Sequence, residues 1–201
     1  VVPISELMVC DRYAYLPCMG LFLLAGALAW RIGSRGKAWM GGALACTGAA
    51  LLVLGVLTSR RIEVWRDSLT LWNDVISRRQ DIWVAYLNRG LAQSHAGHHR
   101  AAIADLDQAL RLNPGSAQAL NNRAGSHAYL GDYVQALRDF DEAIRLNPDR
   151  DFLINRGITK QKRGDLDGAL QDFDIVLGQD PGNLRALCEK ADTHRLSGHW
   201  S

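Results

Sequence analysis

Three asparagines recur at nearly constant spacing in the second half of this 201-residue chain. Asn88, Asn122 and Asn155 follow one another at intervals of about 34 residues. An amide side chain offers both a donor and an acceptor, which match the two polar groups of an extended peptide bond. A column of such amides would hold a peptide backbone independently of its sequence. The alternative is that asparagine belongs to a repeated Asn-Arg-Gly-type segment and contacts no ligand.

A second column pairs arginine with aspartate. The aspartate follows its arginine at the same sequence separation in every case: Arg89 with Asp105, Arg123 with Asp139, and Arg156 with Asp172. Regular co-occurrence predicts ion pairs between the two helices of a unit or between neighbouring units. The alternative is a solvated charged surface, where an exposed pair contributes at most about 1 kcal/mol. Both interpretations give these residues a structural role.

Metal and catalytic chemistry are poorly supported by the sequence. His95, His98 and His99 form a histidine cluster, and spacings of three and four can place two imidazoles on one helical face. However, no nearby carboxylate or cysteine completes a metal-ligand set. The sequence also lacks a phosphate-binding glycine loop, a G-x-S-x-G elbow and an H-E-x-x-H motif. We therefore expect no metal, no cofactor and no catalytic residue in this chain.

The charge distribution separates the chain into two parts. The formal net charge of +2 and the lack of a basic run interleaved with aromatic residues argue against nucleic-acid binding. Between Arg12 and Arg60, the charged residues are Arg31, Arg35 and Lys37. Most of the other charged residues follow position 59, so the sequence indicates one apolar and one aqueous environment.

The second part is built from a repeated pattern of glycine, alanine and proline. Each type recurs with a period of about 34 residues: Gly97, Gly131 and Gly164; Ala102, Ala136 and Ala169; Pro114, Pro148 and Pro181. Glycine permits the positive φ of a tight turn between two helices. A small residue such as alanine lets two helices approach closely, and proline ends a helix because it cannot continue the hydrogen-bond ladder.

This pattern resembles the tetratricopeptide repeat, a helix–turn–helix unit of about 34 residues. The predicted units are 83–116, 117–149, 150–183 and a truncated 184–201. The resemblance implies an all-α fold, a right-handed superhelical solenoid whose concave face binds a protein or an extended peptide. Asn88, Asn122 and Asn155 are our candidate contacts on that face.

The first part of the sequence predicts a membrane hairpin. Residues 13–30 and 38–59 are uncharged stretches, and about 17 to 20 apolar residues suffice to cross the hydrocarbon layer. A short link between them would make the two helices antiparallel. Residues 60–82 then read as an amphipathic linker that caps the repeats. We therefore expect a multi-pass integral membrane protein in contact with the lipid bilayer.

The junction before this hairpin resembles that of transmembrane-and-tetratricopeptide-repeat proteins of the protein O-mannosyltransferase type. The resemblance rests on the motif from Asp11 to Pro17, D-R-Y-A-Y-L-P. It implies extracytoplasmic repeats that present substrate to a multi-pass, lipid-linked-sugar glycosyltransferase, of which this chain would be a C-terminal piece. Two alternatives remain: a membrane-anchored binding module, which we favour, and an assembly scaffold for cell-envelope machinery.

Overall fold

The computed structural model describes residue 26 and residues 48–56 and 67–198. The chain divides into two compact units, 1–63 and 64–201. In the first unit, residues 48–56 are helical and exposed. No helix within the described residues is long and apolar enough to span a membrane. Apart from residue 26 and residues 48–56, the two predicted spans lie outside the described part of the chain.

In the second unit, residues 67–198 form eight helices. In chain order they are α1 (Ser68–Arg78), α2 (Trp83–His95), α3 (His99–Leu112), α4 (Ala117–Tyr129), α5 (Tyr133–Leu146), α6 (Arg150–Arg163), α7 (Leu166–Gln179) and α8 (Leu184–Ser197). Each helix packs chiefly on its neighbours in sequence. The described part of this unit is therefore an all-helical solenoid, as the repeat pattern predicts.

Helix α1 covers the first pair of repeat helices. Asp67 caps its N-terminus by accepting a hydrogen bond from the backbone N–H of Thr70 at 2.8 Å. Trp72 and Ile76 are buried in a cluster with residues of α2 and α3. The predicted amphipathic helix was expected to begin near residue 60; positions 57–66 lie outside the described residues.

Glycine makes the turn inside each unit. The φ angles are 79° at Gly97, 81° at Gly131, 92° at Gly164 and 73° at Gly198. These left-handed values favour glycine because a Cβ atom would clash with the backbone.

Between units, a side-chain oxygen shortly after the proline caps the next helix. The caps are Ser116 for α4, Asp149 for α6 and Asn183 for α8. Each cap satisfies a backbone N–H that has no partner within its own helix.

Small residues bring the two helices of a unit into contact. A Cβ atom on Gly157 would lie 2.6 Å from Cε1 of Phe173, and one on Gly90 would lie 2.9 Å from Cγ of Leu106. Both partner side chains are fully buried. The repeating alanines, Ala102, Ala136 and Ala169, are likewise fully buried. This close packing holds the first helix of each unit against the second.

Candidate functional site

A groove of about 270 Å³ runs across the first helices of successive units. It is lined by Leu91, Ser94 and His95 of α2; Asn121, Asn122, Gly125, Ala128 and Tyr129 of α4; Phe140 of α5; Asn155, Ile158, Thr159 and Lys162 of α6; and Arg185 of α8. Its volume is slightly below the range of about 300–1,000 Å³ that is typical of small-molecule pockets. The groove is thus suited to a few side chains of an extended ligand.

The lining combines an apolar surface with positive charge. Leu91, Ala128 and Ile158 supply apolar surface, while Lys162 and Arg185 supply cationic groups. No aspartate or glutamate is present among the described residues that line the groove. Arg185 also lies 3.5 Å from the exposed carboxylate of Asp151. The groove is therefore electrostatically complementary to an anionic ligand.

The structure brings two of the three predicted asparagines into the groove. Asn122 and Asn155 line it, on α4 and α6. Asn88 does not belong to the lining; its Nδ2 donates to the carbonyl oxygen of Val84 in its own helix at 3.0 Å. The three residues share a position in the repeat but do not share an environment.

Hydrogen bonds join the groove asparagines to each other through Asn121. Arg185 donates to Oδ1 of Asn155 at 2.7 Å, and Nδ2 of Asn155 donates to Oδ1 of Asn121 at 3.1 Å. Asn121 in turn donates to Asn122 at 3.3 Å. Sequence reasoning missed Asn121 because the neighbouring units have Leu87 and Ile154 at this position. A polar chain thus crosses α4, α6 and α8.

Asn122, at one end of this series of hydrogen-bonded side chains, can still form further hydrogen bonds. Its Oδ1 accepts two long bonds, from Gln118 at 3.4 Å and from Asn121 at 3.3 Å. Within the described part of the chain its buried Nδ2 has no hydrogen-bond partner, and neither has the buried Oε1 of Gln93. A buried unsatisfied polar group costs about 1–3 kcal/mol. A ligand that reorients the Asn122 amide would recover part of this cost.

Tyr129 forms an exposed aromatic rim on the groove. Its side chain is 74% exposed, although its ring stacks on His99 with centroids 4.3 Å apart. The ammonium of Lys162 lies 5.5 Å from the centroid of the same ring, within cation–π range. These contacts hold the tyrosine in place without covering it, as suits a residue that anchors a partner.

The arginine column forms a continuous ladder of ion pairs. Each arginine makes two hydrogen bonds of 2.6–2.9 Å to its predicted aspartate, in the second helix of its own unit. A third bond of 2.7–2.8 Å joins each arginine to the preceding helix: Arg89 to Asn73, Arg123 to Asp107, and Arg156 to Asp141. The predicted ion pairs are confirmed, and they form both within units and between them.

The ladder is structural rather than catalytic. Hydrogen bonds to Asp139, and then to Asp107, raise the pKa of Arg123 above its already high ordinary value, although burial opposes them. The guanidinium therefore stays charged at every pH the protein meets and cannot relay a proton. Lys160 adds a further contact to the Arg156–Asp172 pair, because its ammonium lies 2.9 Å from Asp172. The repeat pattern does not predict this additional contact.

The three histidines of the predicted cluster lie in different settings. His95 lines the groove, His99 stacks on Tyr129, and His98 precedes α3. Over residues 26, 48–56 and 67–198, no group of three or more histidine, cysteine, aspartate or glutamate side chains is arranged to hold a metal ion.

A second cleft, of about 460 Å³, lies at the turns between units. Its lining is polar: Asn147, Pro148, Asp149, Arg150, Asp151, Gln179 and Asn183. Arg150 is already paired with Asp180 at 2.8 Å, and Asp149 caps a helix. Asp151, the remaining charged residue of the lining, lies 3.5 Å from Arg185. The charged groups of this cleft thus have partners within the protein, and the first groove is the better candidate site.

Comparisons with known proteins agree with this architecture. Residues 84–116 and 117–150 each match a family model of the tetratricopeptide repeat. No protein of curated function matches the chain significantly. The chain therefore contains tetratricopeptide repeats, and the matched residues include α2 and α4, which line part of the groove.

Several solved structures share the fold. The first repeat domain of Spaghetti (RPAP3), bound to the HSP90 peptide SRMEEVD, is 21% identical with a TM-score of 0.55, over 58% of this chain and 93% of that one. The second domain of human RPAP3, in complex with the HSP70 peptide SGPTIEEVD, is 27% identical with a TM-score of 0.52, over 55% and 92%. MamA is 19% identical with a TM-score of 0.61, over 71% and 84%.

Proposed function

We propose that the repeats of this chain bind an extended acidic peptide in the groove across α2, α4 and α6. The observation that carries the proposal is the charge of the lining. Lys162 and Arg185 line the groove and no acidic residue belongs to the described lining, although Arg185 also contacts the exposed Asp151, outside the lining, at 3.5 Å. An incoming acidic side chain would gain charge-assisted hydrogen bonds, which are roughly twice as strong as neutral ones.

The amides of the groove supply the contacts to the peptide backbone. Asn155 uses one N–H and one lone pair within the protein, so one of each remains for a ligand. The buried Nδ2 of Asn122 has no partner in the described structure and becomes available to a ligand when the amide reorients. Amide contacts of this kind set the position of a peptide, while the cations select its charge.

The structural neighbours are consistent with this proposal. Their peptides, SRMEEVD and SGPTIEEVD, share the acidic segment Glu-Glu-Val-Asp. Those two domains bind their peptides on the same repeat architecture. That this chain takes an acidic peptide as well is our inference from its groove.

A positional-scanning library of labelled nonapeptides would test the proposal on the full chain. Each pool fixes one position as Glu, Lys, Leu or Ser and randomises the rest. We expect Glu-fixed pools to be retained more strongly than Lys-fixed pools, with the preference weakening as salt rises. The double variant Lys162→Glu, Arg185→Glu should reverse the preference. Arg138→Glu, on the exposed surface of α5, should leave it intact.

Two results would contradict peptide binding by this groove. The first is equal retention of the Glu-fixed and Lys-fixed pools by the unmodified chain. The second is an unchanged preference in the double variant when circular dichroism shows that it remains helical.

We also propose that a membrane anchor precedes the repeats. The uncharged stretches 13–30 and 38–59 support it, and the junction resemblance would put the repeats outside the cytoplasm. Cys188 is exposed in the structure and can report sidedness with a membrane-impermeant thiol reagent. In a Cys10→Ser background, which removes the other cysteine predicted on the same side, labelling of intact cells that Cys188→Ser abolishes would support extracytoplasmic repeats and the glycosyltransferase alternative. Labelling only after permeabilisation would support a cytoplasmic scaffold, and release by alkaline carbonate would contradict the anchor.

A further inference from the structure

Two glycines in the first helices have a packing reason to be glycine. A Cβ atom on Gly90 would lie 3.2 Å from the carbonyl oxygen of Ala102 as well as against Leu106. On Gly157 it would meet the buried ring of Phe173 at 2.6 Å. At both positions the second helix of the unit occupies the space that a side chain would need.

Gly125 has no such reason. A Cβ atom there would meet nothing within 4 Å, and its helical backbone needs no positive φ. The same repeat position carries Leu91 in the preceding unit and Ile158 in the following one. Glycine is, after proline, the least favourable residue for a helix interior. An explanation within the packing of the repeats is therefore missing at this position.

The space left by Gly125 opens into the groove. Gly125 itself belongs to the lining, as do Leu91 and Ile158 at the same repeat position in the neighbouring units and Ala128 one turn further along α4. Tyr129 forms the rim. Because a Cβ atom on Gly125 would meet nothing within 4 Å, the groove has unfilled space here, which we call the recess, and the aliphatic side chains of Leu91 and Ile158 belong to the same lining. Such a recess excludes water most favourably when an apolar group fills it.

We propose that this recess takes an aliphatic side chain of the bound peptide, next to the acidic residue that contacts Lys162 and Arg185. The inference rests on the proposed function and adds a second selectivity, for an apolar residue, to the selectivity for charge. Gly125 is then a specificity-determining residue. It acts by leaving room for the ligand rather than by contacting it through a side chain.

The surroundings indicate a peptide as the occupant. The apolar recess and the two cations share one groove, and the amides of Asn122 and Asn155 lie in the same lining. An aliphatic side chain, a carboxylate and a backbone amide are the three groups that this lining complements. One short peptide segment carries all three, so a single occupant accounts for the whole groove.

The nonapeptide library provides the test, applied to the full chain and to matched glycine variants. Gly125→Leu fills the recess, and Gly125→Ala fills it partly. Gly178 in α7 serves as the control, because it is also a helical glycine with nothing within 4 Å but lies outside the groove. Gly125→Ala and Gly178→Ala should each raise the melting temperature by roughly 2–4 °C, because each removes a glycine from a helix.

For the unmodified chain we expect Leu-fixed pools to be retained more strongly than Ser-fixed pools. Gly125→Leu should lower affinity for Leu-fixed pools by about tenfold or more, the effect of losing one buried aliphatic side chain. It should keep the preference for Glu over Lys. Gly178→Leu should change neither preference. The affinity of Gly125→Ala for Leu-fixed pools should lie between those of the unmodified chain and of Gly125→Leu.

The possible failures are distinguishable. A Glu preference without any Leu preference would overturn the recess and leave the acidic groove standing. A Leu preference that survives unchanged in Gly125→Leu would overturn the role of Gly125. No preference for Glu over Lys in the unmodified chain would overturn the proposed function itself. If Gly125→Leu loses its helical signal, Gly125→Ala supplies the decisive comparison.

Discussion

The arginine column and the asparagine column are adjacent in the sequence, yet the structure treats them differently. Every arginine makes two bonds to the aspartate of its own unit and one to the preceding helix, where Arg89 meets Asn73 and the other two arginines meet an aspartate. The asparagines do not repeat their contacts. Asn88 bonds to its own helix, whereas Asn155 links Asn121 to Arg185.

This difference shows where a repeat protein is free to vary. The arginines lie between helices that every unit must pack in the same way, so identical residues meet equivalent partners. The groove residues instead face the proposed ligand. Successive residues of a peptide need not be identical, so the units need not present identical side chains to it. The residues that distinguish the groove are therefore those at which the units differ, such as Gly125, Lys162 and Arg185.

The largest expected effect on stability comes from removing a buried carboxylate from the arginine–aspartate ladder. Asp172 is 2% exposed and contacts both Arg156 and Lys160. Asp172→Ala should lower the free energy of unfolding by about 3 kcal/mol, because it leaves two partly buried cations without their shared partner. Urea denaturation followed by circular dichroism would measure the loss.

The matched control is Asp141→Ala, which removes the outer partner of the same arginine. Asp141 is 64% exposed, so its loss should change the free energy of unfolding by no more than about 0.5 kcal/mol. Peptide binding should survive in both variants under conditions where they are folded. Equal destabilisation by the two variants would show that burial does not govern the ladder.

A smaller loss of stability is expected from a glycine at a periodic position. Gly157→Ala should cost about 2 kcal/mol, because the new Cβ overlaps the buried ring of Phe173. Gly178→Ala should instead raise the free energy of unfolding by roughly 0.5–1 kcal/mol. Thermal melts of both variants would measure these changes. A neutral Gly157→Ala would mean that the two helices can separate without cost.

The smallest effect concerns the asparagines, and it is an effect on binding. Asn155→Ala should lower affinity for Glu-fixed peptide pools by about threefold, since one modest hydrogen bond and the support of Arg185 are lost. Asn88→Ala should leave affinity unchanged, because Asn88 is absent from the groove lining. Fluorescence anisotropy on the full chain would measure both. An equal loss in the two variants would restore the three-member column as the peptide contact.

The sequence predicted the repeats and the ladder because both are periodic. Glycine, alanine and proline at a fixed spacing indicate helix–turn–helix units, and each residue acts locally on the backbone. The arginine–aspartate spacing repeats for the same reason, and its prediction is confirmed. The membrane hairpin rests on hydropathy alone and remains a prediction, since most of it lies outside the described residues.

The groove was only partly predictable because periodicity points to what the units share. Lys162, Arg185 and Asn121 are each single occurrences at their repeat positions in the lining. Only their convergence in three dimensions makes them a site. Gly125 could have been noticed as a glycine between Leu91 and Ile158 in register, but sequence alone cannot show whether the packing requires it. The Cβ distances decide that question.

The ladder also has a consequence for how the solenoid unfolds. Arg123 and Arg156 each share their bonds between two consecutive units, and Arg89 joins the first unit to α1. Lys190 extends the connection from α8 to Asp174 at 2.6 Å. In a linear array, such interface bonds act as nearest-neighbour couplings that penalise every boundary between a folded and an unfolded unit. When the couplings are strong, partly unfolded states are rare, and all the units unfold together in one transition. Amide-exchange protection across α2 to α7 would then be lost in a single step, with only the ends fraying earlier.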